Sequence, residues 1–232
     1  TKLPEGMTAV LAAAAFRSGA AALALIDGGA DVKVADQRDN TPLHLAAQAG
    51  DLALVRKLLA QGAELNARNA KVFTSGQPMR GPFRPPAGEI TPLHMAVRAN
   101  QPNVVKTLLE AGADPKIKGE DGTTLLMQAA MSTNVELVKL VYAYDNDVKA
   151  VTSSGATLIH SAVTGVGPNA SQPDICQVIR FLAEQGAPLD ERNALGRTPI
   201  DIADIFPLDQ AVDLLTELIV KSGAKPKTRT KR

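Results

Sequence analysis

The chain has 232 residues, of which 45% are hydrophobic and 3% aromatic, with no Trp and a formal charge of +1. Near neutrality argues against wholesale nucleic-acid binding, and the single cysteine, Cys176, excludes an internal disulfide framework and a Cys-rich zinc site. No apolar run reaches membrane-spanning length, and a start at Thr1 fits a processed chain, a cut fragment or part of a longer protein equally, so localisation stays open.

Residues 1–7, with Pro4 and Gly6, read as a short lead-in. An alanine-rich helix is expected from Thr8 to Arg17, and a second from about Ala20 to Ile26, closed by Gly28 and Gly29. Thr41 is an N-cap type and Pro42 suits the first helical position, where a missing N–H costs nothing. Leu43, Ala46 and Ala47 then give a short helix one low-relief apolar stripe, which needs a neighbour of similar shape. The next helix carries Leu52, Val55, Leu58 and Leu59 at helical spacing and ends at Gly62.

The stretch from Lys71 to Glu89 breaks this rhythm. Pro78, Pro82, Pro85 and Pro86 forbid a helix there. Phe73, Met79, Phe83 and Arg84 lie within it, and apolar groups on such a loop point to a contact surface. Helical spacing resumes after Thr91 and again with Val104, Val105, Leu108 and Leu109. A helix after Thr124 is followed by one ending near Tyr142 and Tyr144. There Asp145-Asn146 stands where a glycine is expected to make the left-handed turn. The helix after Thr157 is followed by turn chemistry across residues 164–173, and the next helix runs from about Asp174 to Gly186. After Thr198, a last helix from Leu208 to about Lys221 carries Val212, Leu215 and Leu218 on one face and reads as a closing cap. Residues 223–232 form a basic tail; from Lys221 onward there are six basic groups and no acidic one, and without them the formal charge falls to −5.

These elements are copies of one unit. Thr41-Pro42-Leu43-His44 recurs as Thr91-Pro92-Leu93-His94, as Thr157-Leu158-Ile159-His160, as Thr198-Pro199-Ile200-Asp201 and, loosely, as Thr124-Leu125-Leu126-Met127. Starts at residues 8, 41, 91, 124, 157 and 198 are spaced by 33, 50, 33, 33 and 41 residues. Gly29-Ala30-Asp31, Gly62-Ala63-Glu64 and Gly112-Ala113-Asp114 each fall 21 residues after their threonine. A period of 33 with Thr-Pro-Leu-His closely resembles the ankyrin-repeat family. The resemblance implies an all-α solenoid of about six stacked helix-turn-helix repeats over residues 8–222, joined by β-hairpin fingers. The first and last repeats would serve as caps.

The resemblance also assigns the histidines. His44, His94 and His160 share one repeat position, which in the family ties a helix start to the adjoining finger. No spare histidine is then left to act as a base, so no catalytic residue is expected. Gly165-x-Gly167 lacks the βαβ setting of a dinucleotide site, and Asp145-Asn146-Asp147 lacks the remaining ligands of a calcium loop. Cys176 falls in a core register. No cofactor, metal or small-molecule substrate is called for.

The family's variable positions, carried over, form the expected partner-binding row. They are Gln37, Arg38, Asn40 and Gln48, then Arg98 and Asn100, then Glu120, Asp121 and Met131. Thr123, Ser132, Ser153, Ser154, Thr164, Leu195, Arg197, Ile205 and Phe206 complete it. Together with Phe73, Met79, Phe83 and Arg84 of the long finger, they indicate a protein–protein interaction module whose partner and oligomeric state the sequence does not name. Two alternatives stand beside it: a scaffold or accessory subunit of a larger assembly, and a tether to nucleic acid or an anionic surface through the basic tail.

Overall fold

A computed structural model describes residues 7–71, 88–165 and 171–227. It contains twelve helices and no strand among the described residues. They fall into two compact units, residues 1–120 and 121–232. In the first unit, α1 (Ala9–Ala15), α3 (Pro42–Ala49) and α5 (Pro92–Arg98) pack side by side as an inner layer. Against them lie α2 (Gly19–Asp27), α4 (Leu52–Ala60) and α6 (Pro102–Glu110). The second unit repeats the plan with α7 (Leu125–Met131), α9 (Leu158–Thr164) and α11 (Pro199–Ile205) inside. Its outer layer is α8 (Val135–Tyr142), α10 (Gln172–Glu184) and α12 (Asp209–Lys221).

Each inner helix is too short to persist alone, so packing of its apolar stripe holds it in place. Leu43, Ala46, Ala47, Leu93, Ala96 and Val97 are fully buried in the first unit, as are Leu125, Leu126, Leu158, Ile159 and Ala162 in the second. Alanine and leucine let neighbouring helices approach closely. At the end of α9, a methyl group on Gly165 would come 2.2 Å from the Met131 carbonyl oxygen. Among the described residues the thin core uses one aromatic pair, Tyr142 edge-on to Phe181 with ring centres 5.5 Å apart. Cys176 is buried, which pushes its thiol pKa up.

Three expectations need correction. Residues 143–148 contain no left-handed residue. The Asp145 amide instead continues α8 by donating to the Val141 carbonyl at 2.9 Å, so the chain leaves by one more α-type turn. The left-handed conformation appears elsewhere, nine residues after the capping threonine, where Arg17, Gly50, Asn100 and Thr133 turn the inner helix into the outer one. Second, α10 begins at Gln172 rather than Asp174, because the Ser171 hydroxyl caps it by accepting from the Asp174 amide. Third, Glu89 belongs to the regular finger and not to the long insertion, as its bonds show below.

Candidate protein-binding surface

The capping threonine and the residue three positions later build each inner-helix start. In the first unit, the His44 Nδ1 accepts from the Thr41 amide at 3.1 Å and lies 2.9 Å from the Thr41 hydroxyl. Its Nε2 donates to the Ile90 carbonyl at 3.1 Å, which places the ring proton on that nitrogen. His160 repeats the pattern with Thr157 and donates to the Arg197 carbonyl at 3.0 Å. Both rings therefore tie a helix start to the next finger, as the family resemblance implies.

The same position also shows what happens without that reach. His94 accepts from the Thr91 amide at 3.3 Å, while its Nε2 is buried without a hydrogen-bond partner, facing the Ile117 carbonyl short of bonding geometry. Asp201 supplies only the acceptor half, taking the Thr198 amide at 2.9 Å. Met127 supplies neither and is wholly buried. Burial lowers the pKa of His44 and His160, and holds His94 at about 4. These are neutral structural imidazoles.

The fingers, expected as β-hairpins, contain no strand among the described residues; they are turns closed by their own bonds. Asp36 pairs by backbone with Asn40, and its Oδ1 accepts from the amides of Arg38 and Asn40. Asn193 does the same for Leu195 and Arg197. The residue two before each capping threonine is left-handed: Asp39, Glu89, Gly122, Gly155 and Gly196. Neighbouring fingers join through single backbone bonds. Ala70 donates to Arg38 and Glu120 to Gly88 in the first unit; Ser153 donates to Asp121, and Ala194 to Ser154, in the second.

The long insertion enters this scheme at a finger tip. Asn69 occupies the place of Asp36: its amide donates to the Ile90 carbonyl at 3.1 Å, and its Oδ1 accepts from the Ile90 amide at 2.9 Å. Glu89 donates its amide to the Asn69 carbonyl and takes the left-handed position. The extra residues therefore leave the finger after Asn69 and return at Gly88 without disturbing its base. Arg68 reinforces that base, donating to the Glu89 carbonyl at 3.2 Å and the Lys118 carbonyl at 3.0 Å. Phe73, Met79, Phe83 and Arg84 lie outside the described residues.

Most of the expected row is exposed. Gln37, Arg38, Gln48, Arg98, Asn100, Glu120, Met131, Ser153, Thr164, Leu195, Arg197 and Ile205 are on the surface; Asp121, Thr123, Ser132, Ser154 and Phe206 are half-buried. Asn40 departs from the expectation. It is 7% exposed, bonds both carboxylate oxygens of Asp36, and accepts from the Asn69 side chain at 3.2 Å, so it joins two finger bases instead of facing outward. A residue sequence reading passed over is Val151, 55% exposed beside a finger. Its valine looks like core in the sequence, and only the finger bond between Thr152 and Ala156 turns it out.

One register position organises the surface. The seventh residue after the capping threonine is exposed in all six repeats: Ala15, Gln48, Arg98, Met131, Thr164 and Ile205. The residues just before it on the inner helices are mostly buried. Such an array of short helix pairs, with varied side chains at one outward register, defines a helical-repeat module. Residues 1–69 and 93–169 match the family described as ankyrin repeats (3 copies), and the chain belongs to the ankyrin-repeat family. Proteins of this family are generally non-catalytic and bind other proteins. No curated protein matches the chain. A chain in the solved structure of a predatory endopeptidase from Bdellovibrio bacteriovorus in complex with an immunity protein is similar at 26% identity, with a TM-score of 0.68. The match covers 92% of this chain and 99% of that one.

Proposed function

We propose that this chain is a protein-binding ankyrin array without catalysis of its own, which acts by docking on a folded partner through its fingers and the outward ends of its inner helices. The observation that carries the reading is the register just described: a repeated frame holds six different side chains at one exposed position. Variation there costs the fold little, so the position is free to serve recognition. The similarity to a chain from a complex between an endopeptidase and an immunity protein makes an endopeptidase the first partner class to test. In such a pair this chain would be the non-catalytic member.

Co-expression with candidate endopeptidases, followed by size-exclusion chromatography and an activity assay, tests this. A stoichiometric complex with altered protease activity is expected. The long finger is proposed as part of the contact. Replacing Phe73 and Phe83 together by alanine should weaken the complex by roughly tenfold or more, as loss of buried aromatic anchors does. Unchanged affinity removes the finger from the surface.

The tail supports an intramolecular role better than a tether. The Lys227 amide donates to Asp190 Oδ2 at 2.8 Å, and its Nζ donates to the Asp190 carbonyl at 2.7 Å, with Glu191 3.8 Å away. The start of the tail is thus engaged by a finger of its own unit. Deleting residues 222–232 should leave most partner affinity in place; a tether would lose binding and its salt sensitivity together.

A further inference from the structure

The second unit carries an apolar, acidic-bodied face, and we infer that it receives a protein segment whose aliphatic or aromatic side chains are flanked by Lys and Arg. This rests on the protein-binding reading and names the half of the molecule and the chemistry of the occupant.

Four large apolar side chains stand out from the fingers and inner-helix ends of this unit: Met131 at 44% exposure, Ile205 at 49%, Val151 at 55% and Leu195 at 76%. They are placed by the repeat. Met131, Thr164 and Ile205 share the outward register on adjacent helices α7, α9 and α11. The Thr164 hydroxyl is already engaged, donating to the His160 carbonyl at 2.9 Å, so its free contribution to the row is its methyl group. Val151 and Leu195 belong to fingers joined by the bond from Ala194 to Ser154. The first unit offers Ala15, Gln48 and Arg98 at the matching register, with Phe16 at the end of α1 its single exposed large apolar side chain among the described residues. Isolated exposed apolar residues are ordinary, whereas a row of them set by a repeat is a contact surface.

Charge identifies the occupant. Without its basic tail the second unit, residues 121–220, holds thirteen Asp and Glu against five Lys and Arg, a formal −8 that the tail's six bases bring to −2; residues 1–120 hold eleven against fourteen, a formal +3. Asp204 adjoins Ile205, and Glu191 lies four residues before Leu195; Lys149, Arg192 and Arg197 are the bases nearest the row in sequence. An acidic body steers a basic partner and disfavours an acidic one, and the apolar row supplies the short-range contact. A second copy of this chain, formally +1 overall, brings no comparable excess of positive charge. Its own tail is the other basic occupant, but the described part of the tail is bound at Asp190 through main-chain and Lys227 contacts.

The test uses the full chain against a random peptide library displayed on phage, with selected peptides then measured by calorimetry. Selection of sequences with apolar residues flanked by Lys or Arg is expected. Their affinity should fall at least about tenfold in the pair Leu195→Asp and Ile205→Asp, and stay within about twofold in Gln48→Ala with Arg98→Ala. Both pairs are surface changes, so unaltered thermal melting checks that they fold. Selection of acidic or apolar-free sequences, or binding lost only in the first-unit pair, overturns this inference while leaving protein binding intact. No selection above an immobilised control also overturns this inference, while docking on a folded partner is decided by the co-expression test. Self-association in sedimentation that the second-unit pair abolishes makes a second copy the occupant and also overturns it.

Discussion

At the seventh residue after the capping threonine, the first unit presents Ala15, Gln48 and Arg98, and the second presents Met131, Thr164 and Ile205. The frame beneath is shared: His44 reaches the Ile90 carbonyl at 3.1 Å, and His160 reaches the Arg197 carbonyl at 3.0 Å. The difference teaches how a repeat separates tasks. Residues three after the threonine brace the helix start and are buried, except the half-buried Asp201; residues seven after it are exposed and diverge. The two units differ in sensitivity too, since the first buries two imidazoles and the second one.

Acid should expose that difference most strongly. His94 is held at about 4 by burial, below its ordinary value of 6.5. Between those values the unfolded chain takes up a proton that the folded chain refuses, so stability falls as the pH drops from about 6.5 to 4 and falls no further below that. The loss is on the order of 3 kcal/mol for this residue. His44 and His160 act in the same direction. Replacing His94 by Met, the side chain that the second unit uses at Met127, should move acid unfolding of the first unit to lower pH. Circular dichroism against pH, with hydrogen exchange to assign the unit, measures it.

Gly165→Ala should act on the second unit alone. Its added methyl meets the Met131 backbone at 2.2 Å, and backbone cannot move aside as a flexible side chain can. A cost of about 1–3 kcal/mol is expected in denaturant unfolding, with faster exchange in α7 and α9. The smallest expected change is a gain. Gln128 is 6% exposed with an unpartnered Oε1, and Gln128→Met should stabilise the second unit by about 1 kcal/mol. The first unit already has Met95 in that register.

The frame was legible because its chemistry is local. A capping threonine, a proline at the first helical position and a histidine three after the cap sit within four residues; their recurrence, whole at Thr41 and Thr91 and with one substitution at Thr157 and Thr198, marks every inner helix but the atypical first and fourth. The surface was legible in outline, since register fixes which residues face out. It failed where partners are distant in sequence. Asn69 and Ile90 close one finger across 21 residues, so Glu89 read as part of the insertion. Asn40 is drawn inward by Asn69, 29 residues away. The contact between Lys227 and Asp190 spans 37 residues and follows no periodicity.

Amide hydrogen exchange on the full chain, free and saturated with its bound partner, tests most directly whether recognition lies on the second unit. Added protection is predicted at residues 151–156 and 193–197 and at the C-terminal ends of α7, α9 and α11. Protection confined to residues 36–40 and to the ends of α3 and α5 would contradict it.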